Sequence, residues 1–338
     1  MSKLVRAAQT SQSLSLAAME EASRLGLREA DIEHLFLALV ITDQSAGRAL
    51  RGMGIDLDAA RRAVEEQRQA HLESLGIEAS FPSAGRIVFH ETFGYEWSRR
   101  ASDLLGRSGG KGKDGDAAAV LRELVGEPSG SIADLLERLG TTSGAVLDQL
   151  DRLDHADRSA SSDDSGREAV PATVKIKGRV SGSTQAFVPA PIEEVWAFLA
   201  DPTRVPEWEM SVGSIDDLGQ DATPGTVWQG RAPETRPDGK PVKIKPRFRR
   251  RTVELVEAQR PERIVWRTTY PDSGLTRATS TEFALATATG GTQVTITLSW
   301  ARRNGWRKLV AWPLRPFQKF LVWIVLFQTG SAISRPFR

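Results

Sequence analysis

Residues 190–208, APIEEVWAFLADPTRVPEW, read as one short helix from Ile192 to Leu199, closed at Asp201-Pro202, and then a second turn that ends at Pro206. Proline has no backbone N–H and crowds the preceding turn, so both prolines punctuate helical segments. What flanks this pair of helices is different. Before it, VKIKGRVSGSTQAFV (174–188) has the alternation and β-branched content of a strand. After it come SVGSIDDLG (211–219), GTVWQGRA (225–232), VKIKPRFRRRTVELVEAQ (242–259), RIVWRTTYP (263–271), TRATSTEFALATA (276–288) and TQVTITLSWA (292–301), the last two joined by a hairpin signal at Gly290-Gly291. From about Asn304 the chain is apolar and mostly helical in pattern. Strand, two small helices, a run of antiparallel strands and a terminal helix make an α+β order, in which the sheet must curl round the last helix to bury it.

The 338 residues are too many for one ordinary core and suggest two domains. With 40% hydrophobic and 26% charged residues the chain is globular. It has no cysteine, which excludes disulfides, thiolate metal sites and a thiol nucleophile. Its net charge of +2 hides an asymmetry: residues 1–155 hold 18 Lys and Arg against 24 Asp and Glu, and residues 156–338 hold 27 against 19. The junction is HADRSASSDDSGREAVPAT (155–173), rich in Ser and Asp and poor in large apolar residues, as a disordered linker is. The N-terminus has no apolar stretch long enough for a signal peptide and turns acidic at Glu20-Glu21, so a cytoplasmic location is expected.

The first half is helical. QSLSLAAMEEASRL (12–25) places Leu14, Ala17, Ala18, Ala22 and Leu25 on one face, and Gly26 ends it. DIEHLFLALV starts with Asp31 as N-cap and turns Ile32, Leu35, Phe36 and Leu39 inward. SAGRALRGMG and IDLDAARRAVEE follow, the latter capped by Asp56 or Asp58. The same order returns 75–85 residues later in YEWSRRASDLLG, DGDAAAVLRELVG, SGSIADLLERLG and TTSGAVLDQLDRL, so the spacing predicts a duplicated four-helix unit.

LAAMEEASRLG, IEHLFLALV and SAGRALRGMGID resemble the repeat in the N-terminal domain of Clp-type unfoldase ATPases, over about the first 155 residues and most specifically in the first copy. In the second copy Ala118-Ala119 stand where Glu33-His34 stand in the first. The resemblance implies a protein- or peptide-docking module with Glu33 and His34 as docking candidates. In some relatives the Glu, with a Thr early in the first helix, holds phosphorylated arginine. Here that Thr position falls near Ala8, with Thr10 a half-turn away. The plainer reading of His34 is a helix-start histidine whose ring bonds a nearby backbone carbonyl.

In that family the docking domain precedes ATPase modules, which makes GRSGGKGKDGDAAAV (106–120) worth testing as a phosphate loop. It fails. Counted back from Gly112-Lys113 the first glycine should be residue 107, which is Arg, and Asp114 follows the lysine where a Mg²⁺-binding hydroxyl is required. A solvated turn between helices is expected instead. His71 and His90 have no partner at metal-ligand spacing, and neither a metal nor a cofactor is expected.

In the second half, APIEEVWAFLADPTRVPEW with GTVW, RIVWR and GGTQVTITLSW is similar to the START-like superfamily of SRPBCC, or polyketide cyclase/dehydrase and lipid-transport, proteins, over about residues 174–335. The resemblance implies a helix-grip fold enclosing an apolar cavity for a lipophilic small molecule. Strand alternation then nominates Trp228, Trp266, Thr268, Tyr270, Phe283, Leu285, Ile296 and Leu298 as lining residues, with simple packing against the helix as the alternative for each. No His follows His155, and carboxylates such as Glu193, Glu194, Asp216 and Asp217 fall in exposed helix or turn contexts, so no catalytic constellation is expected. The rival is a cyclase or dehydratase of aromatic polyketide-like substrates, which would need a buried ionisable group in the cavity and would lose turnover with Tyr270→Phe.

Lys243, Lys245, Arg247 and Arg249 alternate with Val242, Ile244, Pro246 and Phe248, which puts the charges on one outward face of a strand. That face is read as solvated, or as attracted to an anionic membrane surface. Nucleic acid is the less favoured partner, because the tail GWRKLVAWPLRPFQKFLVWIVLF mixes Trp with Arg and Lys as interfacial helices do. A peripheral position at the inner face of the membrane is thus the alternative to a free cytoplasmic one. The expected fold class is multidomain: an all-α Clp N-type helical repeat over residues 1–154, a linker over 155–173, and an α+β helix-grip, START-like domain over 174–338. The expected function is a non-catalytic adaptor or sensor.

Overall fold

A computed structural model of the chain describes residues 3–77, 84–87, 94–163, 179–216, 222–236, 239–273, 278–301 and 315–338, in two compact units that meet in sequence at Arg167–Glu168. The helical unit contains α1 (Lys3–Arg24), β1 (Glu29–Ala30), α2 (Ile32–Val40), α3 (Ser45–Gly52), α4 (Leu57–Ser74), β2 (Glu96–Trp97), α5 (Arg99–Ser108), α6 (Ala117–Val125), α7 (Ser131–Arg138) and α8 (Ser143–Asp163). Each of the eight expected helices is present. The duplication is in register at its caps: Asp31 and Asp116 both precede the second helix of their copy and both accept backbone N–H groups of its first turn. Eight of the nine residues of α2 are buried, which is why this segment lacks a polar face.

Two features of this unit were not anticipated. A two-residue parallel pairing, Glu29 with Glu96 and Ala30 with Trp97, joins the two copies. Helix α8 runs to Asp163, so the first nine residues assigned to the linker are helical, and 164–178 lie outside the described residues. Within the glycine-rich stretch, residues 109–116 form the turn between α5 and α6, as expected. Lys113 pairs with Glu123, and the Asp116 carboxylate takes the N-terminus of α6, where a phosphate would otherwise bind.

The second unit is a seven-stranded antiparallel sheet in the order β3-β9-β8-β7-β6-β5-β4. Its strands are β3 (Arg179–Val188), β4 (Ser214–Asp216), β5 (Val227–Arg231), β6 (Arg250–Gln259), β7 (Arg263–Thr269), β8 (Thr279–Ala288) and β9 (Gly291–Ala301). Helices α9 (Ile192–Ala200) and α10 (Val205–Trp208) separate β3 from β4, and α11 (Arg315–Ser334) follows β9. Pro206 does not end the second helical turn. It sits in the first turn of α10, where a missing N–H costs nothing, and the turn continues to Trp208.

The basic run is not a strand face. Residues 242–245 lie outside the seven-stranded sheet, Pro246–Phe248 form a 3₁₀ turn, and β6 begins only at Arg250. Pro246, without a donor, favours the turn over a ladder position. Lys243, Lys245, Arg247 and Arg249 are all exposed nonetheless. Of the tail, residues 302–314 lie outside the described residues. No helix among the described residues is long and apolar enough to cross a membrane.

The core beneath α9 and α10 is aromatic. Trp208 meets Phe283 edge-on at 5.0 Å and Trp266 at 6.3 Å, and Trp228 meets Trp266 at 5.7 Å. The Trp266 indole donates to the Leu199 carbonyl at 3.0 Å, pinning the end of α9 to the sheet.

Helix α11 crosses the sheet at β3 and β9, and it comes close because glycines make room. A Cβ on Gly182 would lie 2.6 Å from Cγ1 of Val322 and 3.4 Å from Cδ1 of Leu326, and one on Gly330 would lie 3.1 Å from Cβ of Ala186. Val322 is stiff at χ1 and cannot swing away. Gly182→Ala is therefore expected to cost about 1–3 kcal/mol through overpacking. Urea unfolding followed by tryptophan fluorescence measures it, and an unchanged midpoint would mean that α11 is not seated on β3.

Candidate ligand cavity

A cavity of about 180 Å³ opens between the sheet and α11. Its wall is built from five elements. Tyr270, just past β7, and Thr279 and Thr281 on the inner face of β8 contribute hydroxyls, and Ile296 and Leu298 on β9 contribute apolar surface. Helix α11 adds Val325, Leu326 and Thr329, and the turn after α10 adds Glu209 and Ser211.

Of the eight residues nominated by alternation, Tyr270, Ile296 and Leu298 line this cavity. Trp228, Trp266, Phe283 and Leu285 are on the expected inner face but fill the core beneath α9 and α10, and Thr268 is buried without reaching the cavity wall. Strand periodicity identifies a face correctly but does not say which part of it is packed solid. Thr279 and Thr281 precede Phe283 by four and two residues on that same face, so the alternation would have found them had polar residues been counted.

Glu209 corrects the expectation that the carboxylates of this half are all solvated. It is half-buried and lines the cavity wall. Burial pushes the carboxyl above the usual glutamate range. Hydrogen bonds from the Ser211 side chain and backbone N–H (the latter 3.1 Å) and the charge of Arg251 offset this only in part. Among the described residues no ion pair reaches Glu209. Arg251, itself buried, is held elsewhere: it donates to the carbonyls of Ser211, at 3.1 Å, and Phe248, and its guanidinium lies 4.4 Å over the Tyr270 ring.

The docking candidates of the helical unit part company. His34 is inside, 1% exposed. Its Nδ1 accepts the Asp31 backbone N–H at 3.1 Å, closing a capping box, so the ring bonds a backbone donor and not the carbonyl expected from sequence. Burial lowers its pKa, which keeps the ring neutral with its proton on Nε2. Glu33 is partly exposed and faces Arg68 at 3.5 Å. Thr10 is buried, with its hydroxyl tied to the Gln44 side chain. Among the described residues no group of three His, Asp or Glu side chains is placed to hold a metal ion.

Comparison with known proteins agrees with both halves of this picture. Residues 7–82 match the family model of the Clp repeat (R) N-terminal domain, and residues 179–321 match that of polyketide cyclase / dehydrase and lipid transport. Among solved structures, the chain is similar to protein CV1439 from Chromobacterium violaceum, with 18% identity over 48% of this chain and 99% of that one and a TM-score of 0.31. It is also similar to protein Ms6760 from Mycobacterium smegmatis, with 16% identity over 49% and 92% and a TM-score of 0.32. No curated protein matches the chain. Residues 7–82 thus match the Clp repeat N-terminal domain, and residues 179–321, in the helix-grip unit, match the polyketide cyclase / dehydrase and lipid transport family.

Proposed function

We propose that this protein is a ligand-responsive binding protein, in which the helix-grip unit holds one small molecule and the helical unit docks a protein or peptide. The observation that carries the first part is the cavity itself. At about 180 Å³ it is smaller than common ligand pockets and comparable to cavities that take a single aromatic ring. Its apolar wall of Ile296, Leu298, Val325 and Leu326 is matched by hydroxyls and one carboxyl, which suits a one-ring amphiphile. Docking by the helical unit rests on its family, whose members are protein-interaction modules, with Glu33 as the accessible member of the candidate pair. Native mass spectrometry of the purified full-length chain tests the cavity: a stoichiometric adduct of small mass, released by organic solvent, is expected. A chain that carries no adduct and binds no one-ring compound offered to it would refute the reading.

A second reading, acid–base catalysis on the same ligand, is favoured by one observation. Glu209, whose carboxyl is pushed above the usual glutamate range, and Tyr270 share a wall, which supplies an ionisable group of the kind a cyclase or dehydratase requires. Turnover of a cavity ligand that disappears in Tyr270→Phe would support it, whereas binding without chemical change would return the site to the first reading.

A further inference from the structure

The basic run carries charge that the helix-grip unit leaves unneutralised. Arg231 and Arg250, at the two ends of the loop between β5 and β6, pair with Asp216 and Asp272 at 3.0 and 2.8 Å. Between them Lys243, Lys245, Arg247 and Arg249 are exposed, and among the described residues no carboxylate lies within ion-pair distance of any of the four. The loop is fixed beside the cavity. Its Phe248 ring meets Tyr270 edge-on at 5.9 Å, and Tyr270 lines the cavity. Arg251 donates to the carbonyls of both Phe248 and Ser211, which ties the loop to the turn after α10. That rim is apolar as well as basic. Met210, between the lining residues Glu209 and Ser211, is 55% exposed, and Val325 of α11, itself a lining residue, is 43% exposed. Helix α11 has no charged residue from Val322 to Ser334.

We propose that the β5–β6 loop and the cavity rim dock the helix-grip unit on an anionic lipid bilayer, with Lys243, Lys245, Arg247 and Arg249 at the headgroups and Met210 and Val325 at the acyl boundary. A bilayer supplies both things this surface is without, negative charge for the cations and hydrocarbon for the exposed apolar side chains. A nucleic acid duplex supplies phosphate alone. The inference goes beyond the binding reading above and does not depend on what the cavity holds.

Sedimentation of the full-length chain with lipid vesicles tests this. At about 0.1 M salt the chain is expected to sediment with vesicles of phosphatidylcholine and phosphatidylglycerol but not with phosphatidylcholine alone, and to be released at about 0.5 M salt. Each cation near the surface raises partition about fivefold, so Lys243→Gln with Lys245→Gln should weaken it about thirtyfold. Met210→Ser should weaken it about tenfold through lost apolar burial. Equal sedimentation with both vesicles, or none with either, overturns the inference. So does binding that the lysine variant leaves unchanged, which would place the contact elsewhere, as in the Trp- and Arg-containing residues 306–315. Vesicle binding unchanged in Met210→Ser, together with binding of duplex DNA at the same salt, would make the patch a phosphate-backbone surface and overturns it too. The substituted side chains are exposed, and the salt series needs no variant. None of these outcomes touches the cavity reading, which the native mass of the chain decides separately.

Discussion

Trp266→Ala is expected to destabilise the helix-grip unit by about 3–5 kcal/mol, the range for removing a large aromatic side chain from a packed core. Three interactions fail together. Trp266 is 1% exposed on β7, the central strand of the seven, and its ring touches both Trp208 from α10 and Trp228 from β5. Its indole N–H is the hydrogen bond that holds the Leu199 carbonyl at the end of α9, so truncation also leaves a buried acceptor without its donor. Trp266→Phe separates the two contributions: it keeps most of the apolar contact and loses the donor, and about 1–2 kcal/mol is expected. Urea unfolding followed by tryptophan fluorescence is the suitable measurement. Eight of the nine tryptophans lie in the second half of the chain and only Trp97 in the first, so the signal reports this unit almost alone. A loss below about 1 kcal/mol for the alanine variant would mean that the aromatic cluster does not hold α9 and α10 to the sheet.

The fold was readable because both units announce themselves through local chemistry. Asp31 and Asp116 cap equivalent helices, Gly26 takes a positive φ of 68° where the first helix stops, and the Gly290 turn closes the hairpin of β8 and β9. Periodicity and caps act within a few residues of themselves, which is why they survive in the sequence. The cavity depends on distant approaches and survives less well. Tyr270, Ile296 and Leu298 were reachable by alternation, but nothing near Glu209 in sequence marks it as a cavity residue. Apart from Ser211, its surroundings come from Arg251, Tyr270 and α11, residues 42 or more positions away. The basic run misled for the opposite reason. Alternating Lys and Arg with apolar residues imitates a strand, and only Pro246 hints at the 3₁₀ turn that replaces it.

Asp43→Asn is expected to stabilise the helical unit at neutral and alkaline pH and to leave it unchanged near pH 4. Asp43 lies in the turn before α3, half-buried as a residue but with an enclosed carboxyl, and burial pushes its pKa from 3.8 to about 6. A hydrogen bond from its own backbone and the charges of Arg51 and Arg48 pull the other way and lose. Arg51 suffers the same desolvation, lowered to about 10, while donating to the carbonyls of Val40 and Thr42. The sign follows from linkage. The folded state binds the Asp43 proton more tightly than the unfolded chain, so the stability it contributes is complete below pH 3.8 and is lost as pH rises through about 6. The shift corresponds to about 3 kcal/mol between those limits, an upper bound because the residue is not wholly sequestered. Asparagine is a neutral isostere of the protonated acid and does not titrate. The difference in stability between the variant and the wild type, measured from the helical circular dichroism signal at a series of pH values, should therefore grow from near zero at about pH 4 to about 2–3 kcal/mol at pH 7 to 8. Other carboxylates whose pKa is depressed by partners, such as Asp31 with Arg100 and Ser98, act equally in both proteins and cancel in that difference. A difference that stays flat with pH would place the Asp43 carboxyl in water, and a variant less stable at every pH would show that its charge is needed to hold Arg51 in the core.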